Sequence, residues 1–243
     1  MTALLEVSGL AKRFGAVVVA DDVTFSVDLG ECLGVIGPNG AGKSSVFNLV
    51  AGTLAPDGGT VRFDGNDVTR VPAFRRARAG IVRAFQIPQP FHALTVYENL
   101  LVAAQYGAGL VGRPAEEWVI RVMRDFGLAD KAEIMAGGLT LLDRKRLELA
   151  KAVASKARLL MLDEIAGGLT EREVEELAAL IVRLKRDHAI IWIEHIAHAL
   201  RAAADRIVLL HFGKKLLDGP VEEVLSSPVV KQIYMGLAAD EAA

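Results

Sequence analysis

The distribution of apolar and polar residues predicts strands in the N-terminal part of the chain. The segment VVVADDVTFSVDLGE (17–31) alternates apolar and polar residues as strands do, with a turn at Leu29-Gly30. The segment GGTVRFDGNDV (58–68) has the pattern of a hairpin. Between them, ECLGVIG (31–37) predicts a short apolar strand, and KSSVFNLVAG (43–52) has helical spacing and ends in glycine. We therefore expect strands and a hairpin-like element in this part of the chain, with one strand–turn–helix unit between them.

Later apolar runs predict a parallel sheet. Helical segments such as TEREVEELAALIVRLKRD separate three of these runs: ARLLMLDE (157–164), HAIIWIEH (188–195) and DRIVLLHFG (205–213). Buried strands that alternate with helices indicate an α/β fold. From about Pro90 to Lys156 the pattern is helical and interrupts this alternation. We expect a single domain over 1–243, with a core made of 1–88 and 156–243 and an inserted helical subdomain at 89–155.

Composition excludes several classes of protein. The chain has 243 residues, 52% hydrophobic and 24% charged, which is typical of a globular domain. Its net charge of −2 gives no basic field for nucleic acid, so we expect no nucleic-acid partner. The single cysteine, Cys32, cannot form an intrachain disulfide, which fits a reducing compartment. The longest uncharged run, 99–112, is shorter than the roughly 18 residues of a membrane span. The order of charges at the N-terminus is not that of a secretory signal, so we expect none.

The segment GPNGAGKS (37–44) fits the phosphate-loop pattern G-x-x-x-x-G-K-[ST], with a predicted strand before it and a helix after it. The glycines allow a tight turn whose N–H groups point inward, and the helix adds the positive end of its dipole. Lys43 would reach the β- and γ-phosphates, and Ser44 would ligate Mg²⁺. An ordinary glycine-rich turn is the alternative. The expected ATP contacts are Gly37, Pro38, Asn39, Gly40, Ala41, Gly42, Lys43, Ser44 and Ser45.

Two carboxylates follow the apolar run LLML at the predicted end of a buried strand. Ligands bind at the carboxyl ends of the strands in open α/β sheets. Asp163 is therefore expected to hold Mg²⁺, directly or through water, and Glu164 to act as general base on an attacking water. The alternative is an exposed acidic turn.

The phosphate loop, the later LLMLDE and the helical segment between them resemble ABC-type ATPases, specifically the nucleotide-binding subunits of ABC transporters, almost end to end. The resemblance implies a P-loop NTPase (RecA-like) core with an N-terminal antiparallel β subdomain and the helical insert. In VRAFQIPQPFHALTVYENL it implies that Gln86 contacts metal and water and senses the membrane subunit. In IIWIEHIAHAL it implies that His195 contacts the γ-phosphate and the water, and in KRFG that Phe14 stacks on adenine. The alternatives without a role in catalysis or binding are that His195 is structural, that Phe14 belongs to the core and that Gln86 is a solvated loop residue.

Three further segments narrow the resemblance. The pattern F-Q-I-P-Q-P-F-x-x-L-T-V-x-E-N-L, the phrase DEIAGGLT (163–170) and the short ending near IYMG (233–236) are similar to ATP-binding subunits of branched-chain amino acid importers. This implies two hydrophobic permease subunits, a second ATP-binding subunit in a homo- or heterodimer, and an indirect periplasmic solute-binding protein. It also implies a peripheral location on the cytoplasmic face of the prokaryotic inner membrane. ATPases of lipopolysaccharide export and of urea or aromatic-acid uptake look alike.

The segment LTLLD (139–143) aligns with the family signature Leu-Ser-Gly-Gly-Gln, which closes across the dimer on the partner's ATP. Thr140 keeps a hydroxyl that could donate in trans to a phosphate, but both glycines are leucines. Asp143 either faces the phosphate or caps the helix start, with Arg144, Lys145 and Arg146 neutralising it. The D-loop reads Gly-Gly-Leu-Thr where the family commonly has Ser-Ala-Leu-Asp.

Three functions follow from these features. The first is an ATP-hydrolysing motor of a permease. The second is a regulatory ATP-binding subunit with one impaired composite site. The third, a soluble ABC ATPase of DNA repair or translation, usually carries two cassettes or a long coiled-coil insert, and this sequence has neither.

Overall fold

The computed structural model describes residues 3–240, with side chains up to residue 234. The strands are β1 Leu5–Phe14, β2 Val17–Val27, β3 Cys32–Ile36, β4 Gly58–Phe63, β5 Asn66–Asp67, β6 Ile81–Ala84, β7 Leu159–Asp163, β8 Ala189–Ile193, β9 Arg206–His211 and β10 Lys214–Pro220. The helices are α1 Lys43–Ala51, α2 Ala73–Ala79, α3 Val96–Val102, α4 Arg113–Asp125, α5 Leu141–Ala154, α6 Glu171–Leu184, α7 Ala197–Ala203, α8 Val221–Ser226 and α9 Pro228–Asp240.

Within the described residues the strands form two sheets. A four-stranded antiparallel sheet has the order β2-β1-β4-β5, and a six-stranded sheet has the order β10-β9-β3-β8-β7-β6. In the larger sheet β6, β7, β8, β3 and β9 run parallel, and β10 joins β9 antiparallel at one edge. The predicted α/β fold with an N-terminal antiparallel portion is therefore confirmed.

The continuous apolar runs are explained by burial of the parallel sheet on both faces. Every residue of β3, β7 and β8 is buried. Along β7 the side chains alternate: Leu160 and Leu162 pack into one core with the helices, and Met161 packs into a second core with α1 and the antiparallel sheet. Cys32 is buried in the first core, and burial raises the pKa of its thiol. The sheet is thus a rigid platform between two layers.

The segment between β6 and β7 is largely helical, but its first ten residues are an irregular loop. The buried Asn99 holds this loop, since its side chain accepts from the Phe91 N–H (2.8 Å) and donates to the carbonyls of Phe91 (3.1 Å) and Thr95 (2.9 Å). Thr95 forms a capping box with Glu98 at the start of α3. The subdomain boundaries at 88/89 and 155/156 stay a prediction.

Two further sequence expectations concern membranes and the C-terminus. In the part of the chain that the structure describes, no helix combines the length and the apolar character that a bilayer crossing requires. Of the ending IYMG, Tyr234 accepts a hydrogen bond from the Gly37 N–H (3.1 Å), which ties the C-terminal helix to the predicted phosphate loop. The last two residues of IYMG, 235 and 236, lie outside the residues whose side chains are described.

Candidate nucleotide-binding site

The loop between β3 and α1 has a backbone that needs glycine at two positions. Gly42 has φ 98°, and a Cβ there would lie 2.3 Å from the Val19 carbonyl oxygen of β2. Gly37 has φ 152°, and its Cβ would lie 2.2 Å from the Leu210 carbonyl oxygen of β9. The loop is therefore pressed between strands of both sheets, and only glycine fits at these two positions.

Replacing Gly42 by Ala should weaken ATP binding at least tenfold, because the Cβ forces the loop away from β2 and the left-handed φ adds roughly 1–3 kcal/mol of strain. Gly65→Ala is the matched control, since Gly65 also has a left-handed φ of 74° but no atom within 4 Å of its Cβ position. Binding of a fluorescent ATP analogue, together with thermal unfolding, compares the two. Equal losses of affinity in both variants would contradict the close approach to Val19.

Lys43 lies inside the loop. Its Nζ donates to the carbonyl oxygens of Gly37 (2.6 Å) and Pro38 (3.0 Å). Burial lowers the pKa of Lys43, and the nearby charges of Glu164 and Asp163 oppose that shift. The cation is thus poised at the centre of the loop and within electrostatic reach of both predicted carboxylates.

The other predicted contacts differ in exposure. Asn39, Gly40 and Ser44 are exposed and Ser45 is half-buried, whereas Pro38 and Ala41 are buried and contact the protein. Phe14 ends β1 with 54% of its surface exposed, so the alternative of a core phenylalanine is wrong. Its ring lies on the hairpin whose second strand borders Gly42, and Lys12 Nζ is 5.5 Å from the ring centroid. Stacking of Phe14 on adenine stays a prediction.

Asp163 and Glu164 stand at the carboxyl end of β7, as predicted. The side chain of Asp163 is only 13% exposed and pairs with Arg83 of β6, so it is no exposed acidic turn. Glu164 has a left-handed φ of 45°, and its N–H donates to the Ile193 carbonyl oxygen at the end of β8 (2.9 Å). Gln86 Nε2 donates to Glu164 Oε2 at 2.9 Å. The structure thus brings the Gln86 side chain onto the predicted general base.

His195 follows β8 and is 63% exposed, which is inconsistent with a core histidine. Its Nδ1 lies 3.3 Å from Glu194 Oε1, which leaves Nε2 directed away from that carboxylate. The buried Glu194 also accepts from the N–H groups of His195 (2.9 Å) and Ile196 (3.4 Å), and from the Ala166 N–H (3.2 Å). One buried carboxylate therefore joins the His195 turn to the loop that follows Glu164.

Sequence reasoning missed the functional setting of Arg83, Lys145 and Glu194. Lys145 of α5 is buried, and its Nζ donates to the Gln86 carbonyl oxygen at 2.5 Å. Burial lowers its pKa, and the charges of Glu194 and Glu148 counteract that shift. For Arg83 and Glu194 the only sequence signal was a charged residue inside, or at the end of, an apolar run, whereas Lys145 stands between two arginines. That signal identifies a buried charge without identifying its partner.

The modified signature LTLLD differs from expectation in its hydrogen bonds. Thr140 does cap α5, since its Oγ1 accepts from the Asp143 N–H (3.2 Å). However, the Thr140 hydroxyl donates to Asp143 Oδ2 (2.9 Å), so it already has an acceptor within this chain. Its contact in trans with a partner's phosphate stays a prediction. Asp143 does turn back, but Lys131 (2.6 Å) and Arg146 (3.5 Å) neutralise it. The expected partners Arg144 and Lys145 do not, because residues one and two positions on lie on other helix faces.

Leu141 and the D-loop contact each other. A Cβ on Gly168, whose φ is 80°, would lie 3.2 Å from Leu141 Cδ2. Thr170, at the position of the family aspartate, caps α6 in a capping box with Glu173. Leu142 is buried. In this structure both signature leucines therefore pack against the protein's own residues.

The residues present fit a nucleotide and its metal. The loop is a cradle with a cation inside it, exposed N–H positions around Gly40 and a hydroxyl at Ser44. Mg²⁺ prefers oxygen ligands and is usually held by one or two carboxylates together with phosphates. Asp163, Ser44 and Gln86 offer such oxygens. Among the described residues no cluster of three or more His, Cys, Asp or Glu side chains is placed to hold a metal ion.

A glycine-fixed loop between a buried strand and a helix, with a carboxylate pair at the end of the next-but-one strand of the same parallel sheet, defines a P-loop nucleotide-binding protein. The ABC transporter family matches residues 20–167. The branched-chain amino acid transport ATP-binding protein BraF of Pseudomonas aeruginosa is 37% identical over 97% of this chain and 98% of its own length. The branched-chain amino acid transport ATP-binding protein LivG of Salmonella typhimurium is 36% identical over 97% of this chain and 98% of its own length.

A solved ATP-binding cassette of an ABC transporter in its ADP conformation superposes with a TM-score of 0.90, at 26% identity over 97% of this chain and 100% of that one. The chain therefore belongs to the ABC transporter family and is an ATP-binding transporter subunit with an ABC-type ATPase domain. The resemblance and the fold class expected from the sequence are confirmed.

Proposed function

We propose that this chain is the ATP-hydrolysing motor subunit of an importer for branched-chain amino acids or a related small polar solute. The observation that carries the proposal is the hydrogen bond from Gln86 to Glu164, at a strand end within electrostatic reach of Lys43. A general base held by one neutral donor, facing a phosphate-binding cation, is suited to activating water beside a γ-phosphate.

Each predicted residue has a defined task in this mechanism. Phe14 stacks on the adenine, the N–H groups of 37–45 surround the phosphates, and Lys43 leaves its loop carbonyls to neutralise phosphate charge. Ser44, Asp163 and Gln86 would hold Mg²⁺, and the ion would supply further neutralisation of charge on the transferring phosphate. Glu164 takes the proton of the attacking water, and His195 orients that water and the γ-phosphate.

A groove beside the site supports docking to a membrane permease. It has a volume of about 460 Å³ and is lined in part by Phe74 and Tyr106, which are 60% and 73% exposed, and by Phe85. Exposed aromatic residues of this density mark interaction surfaces. The groove adjoins Gln86 through Phe85, so movement of a docked permease segment would reach the glutamine directly. We infer two permease subunits, and a peripheral location on the cytoplasmic face of the inner membrane.

The proposal about the solute rests only on the similarity of this chain to BraF and LivG. The surfaces that select a solute belong to the permease and to a periplasmic binding protein, so this chain's own residues offer no selection among amino acids, urea or aromatic acids. Transport of a labelled branched-chain amino acid by the reconstituted complex would decide this part of the proposal.

A second candidate, a dimer with one impaired composite site, is favoured by the signature. The Thr140 hydroxyl proton is engaged by Asp143, and leucines replace both glycines at the place where a partner's ATP would dock. This chain's own loop, base and histidine are all present. The impairment would therefore fall on the ATP bound by the partner subunit.

Measurement of Mg-ATP hydrolysis distinguishes these two candidates. We expect the chain alone to turn over slowly, and to gain at least tenfold when mixed with its permease and a partner that carries Leu-Ser-Gly-Gly-Gln. Equal activity of the lone chain would show that two modified signatures make a working homodimer and would remove the second candidate. Absence of turnover in every combination would overturn the motor proposal.

A further inference from the structure

Arg83 connects three parts of the site that the mechanism above leaves unconnected. Its NH2 pairs with Asp163 Oδ2, and its NH1 donates to Asn48 Oδ1 of α1 at 2.7 Å. The guanidinium carbon lies 5.1 Å from the ring centroid of Phe85 and 5.9 Å from that of Phe47. Strand β6, the helix after the phosphate loop and the end of β7 therefore meet at one guanidinium.

The position of Arg83 is costly for a structural role alone. The side chain is 17% exposed, and among the described residues its Nε is a buried donor without a hydrogen-bond partner. An unsatisfied buried donor is unfavourable, and apolar groups often replace a buried ion pair without loss of stability. What Arg83 does provide is a partner for Asp163, whose carboxylate would otherwise be a mostly buried, unpaired negative charge.

An unpaired negative charge at Asp163 would oppose the binding of ATP. Without magnesium, an unpaired Asp163 carboxylate would face the incoming triphosphate, and like charges in a partly buried site repel strongly. Arg83 cancels that charge. With magnesium, the cation itself neutralises the carboxylate, and Arg83 then competes with the metal for the same oxygens. Arg83 therefore raises the ATP affinity without Mg²⁺ and lowers the affinity with Mg²⁺. Both effects reduce the difference between the two affinities.

We propose that Arg83 is a positioning residue that serves as the counter-ion of Asp163 until Mg-ATP binds, and that then yields carboxylate oxygen to the magnesium site. This inference rests on the proposed function, in which Asp163 holds the metal. It assigns to β6 a role in the order of events: the nucleotide can enter before the metal, without meeting an unpaired carboxylate.

The test compares the Kd of a fluorescent ATP analogue in EDTA and in saturating Mg²⁺. In Arg83→Met we expect the Kd in EDTA to rise about tenfold while the Kd in Mg²⁺ changes little, so the ratio of the two rises about tenfold. Arg83→Lys keeps the charge but loses the planar fork, and its ratio should be intermediate. Arg78→Met is the matched control, since Arg78 lines the same groove but is not among the described partners of Asp163.

The same comparison in an Asp163→Asn background forms a mutant cycle. It includes Arg83→Lys, so the test does not depend on Arg83→Met alone if that variant folds poorly. In an Asp163→Asn background the carboxylate charge is gone, so neither Arg83→Met nor Arg83→Lys should change the ratio. A ratio that is unchanged in Arg83→Met and in Arg83→Lys, or that changes equally in both backgrounds, overturns the counter-ion role. Absence of any Mg²⁺ effect on binding by the unaltered chain would instead overturn the metal role of Asp163 in the proposed function.

Discussion

Glu164→Gln is expected to slow ATP hydrolysis by about 10²–10⁴-fold, the usual contribution of a positioned general base. Glutamine has the same shape, but it cannot take a proton from water. In the unaltered chain the Gln86 amide donates to Glu164 Oε2 at 2.9 Å, and in the variant it faces an amide in place of that carboxylate. The Kd for Mg-ATP should stay within about threefold, because phosphate binding rests on 37–45 and Lys43. Single-turnover hydrolysis and equilibrium binding, measured in parallel, separate the two effects.

Glu175→Gln is the matched control for this variant. Glu175 lies on the exposed face of α6, and no hydrogen bond or ion pair among the described residues joins it to the phosphate loop, so hydrolysis should be unchanged. If Glu164→Gln retained more than a tenth of the activity, Glu164 would not be the base. The proton would then have to leave by a different route, and the His195 turn is the next group to examine.

Lys43→Met is expected to weaken ATP binding about 10- to 100-fold, because a charge-assisted hydrogen bond to phosphate contributes roughly 1.5–3 kcal/mol. The loop carbonyls of Gly37 and Pro38 also lose their donor, so the nucleotide-free loop should be less ordered. Titration with a fluorescent ATP analogue measures the first effect, and amide hydrogen exchange over 37–45 the second. Lys214→Met, at an exposed lysine paired with Asp21, should change neither.

The pH dependence of binding tests the same lysine. Burial lowers the pKa of Lys43, and only the protonated amine attracts phosphate. ATP affinity should therefore be constant below that lowered pKa and fall as the pH rises through it, before the ordinary range of lysine titration is reached. Lys43→Met should lack this alkaline decline. A decline of equal size in the variant would assign it to another group.

The sequence predicted what depends on local pattern. A buried strand followed by glycines at fixed spacing predicts a phosphate loop, and Gly37 and Gly42 occupy backbone positions that exclude a side chain. The run ending in Asp163 predicted where the carboxylates lie, because the carboxyl end of a parallel strand is a place fixed by topology. Roles for Gln86 and His195 came from family resemblance, and their catalytic contributions stay predictions.

What the sequence could not predict is which buried charge meets which. Arg83 and Asp163 are 80 positions apart, and Lys145 reaches the Gln86 carbonyl across 59 positions. Periodicity specifies the buried face of an element, but not the partner of a charge on that face. Proximity in sequence identified only one cation of Asp143, Arg146; the nearer cation, Lys131, comes from the short helix Ala129–Lys131 that precedes α5.

The contact between Leu141 and Gly168 makes the two departures from the family pattern interdependent. The leucine occupies the space beside a residue without a side chain, so a designer who rewrites the signature alone would open a void at the D-loop. Filling that void with a larger residue at 168 would meet a left-handed φ of 80°. Conversion of this chain to an ordinary signature is therefore a graft of two loops together, and chimeras that exchange only one of them should be the less stable proteins.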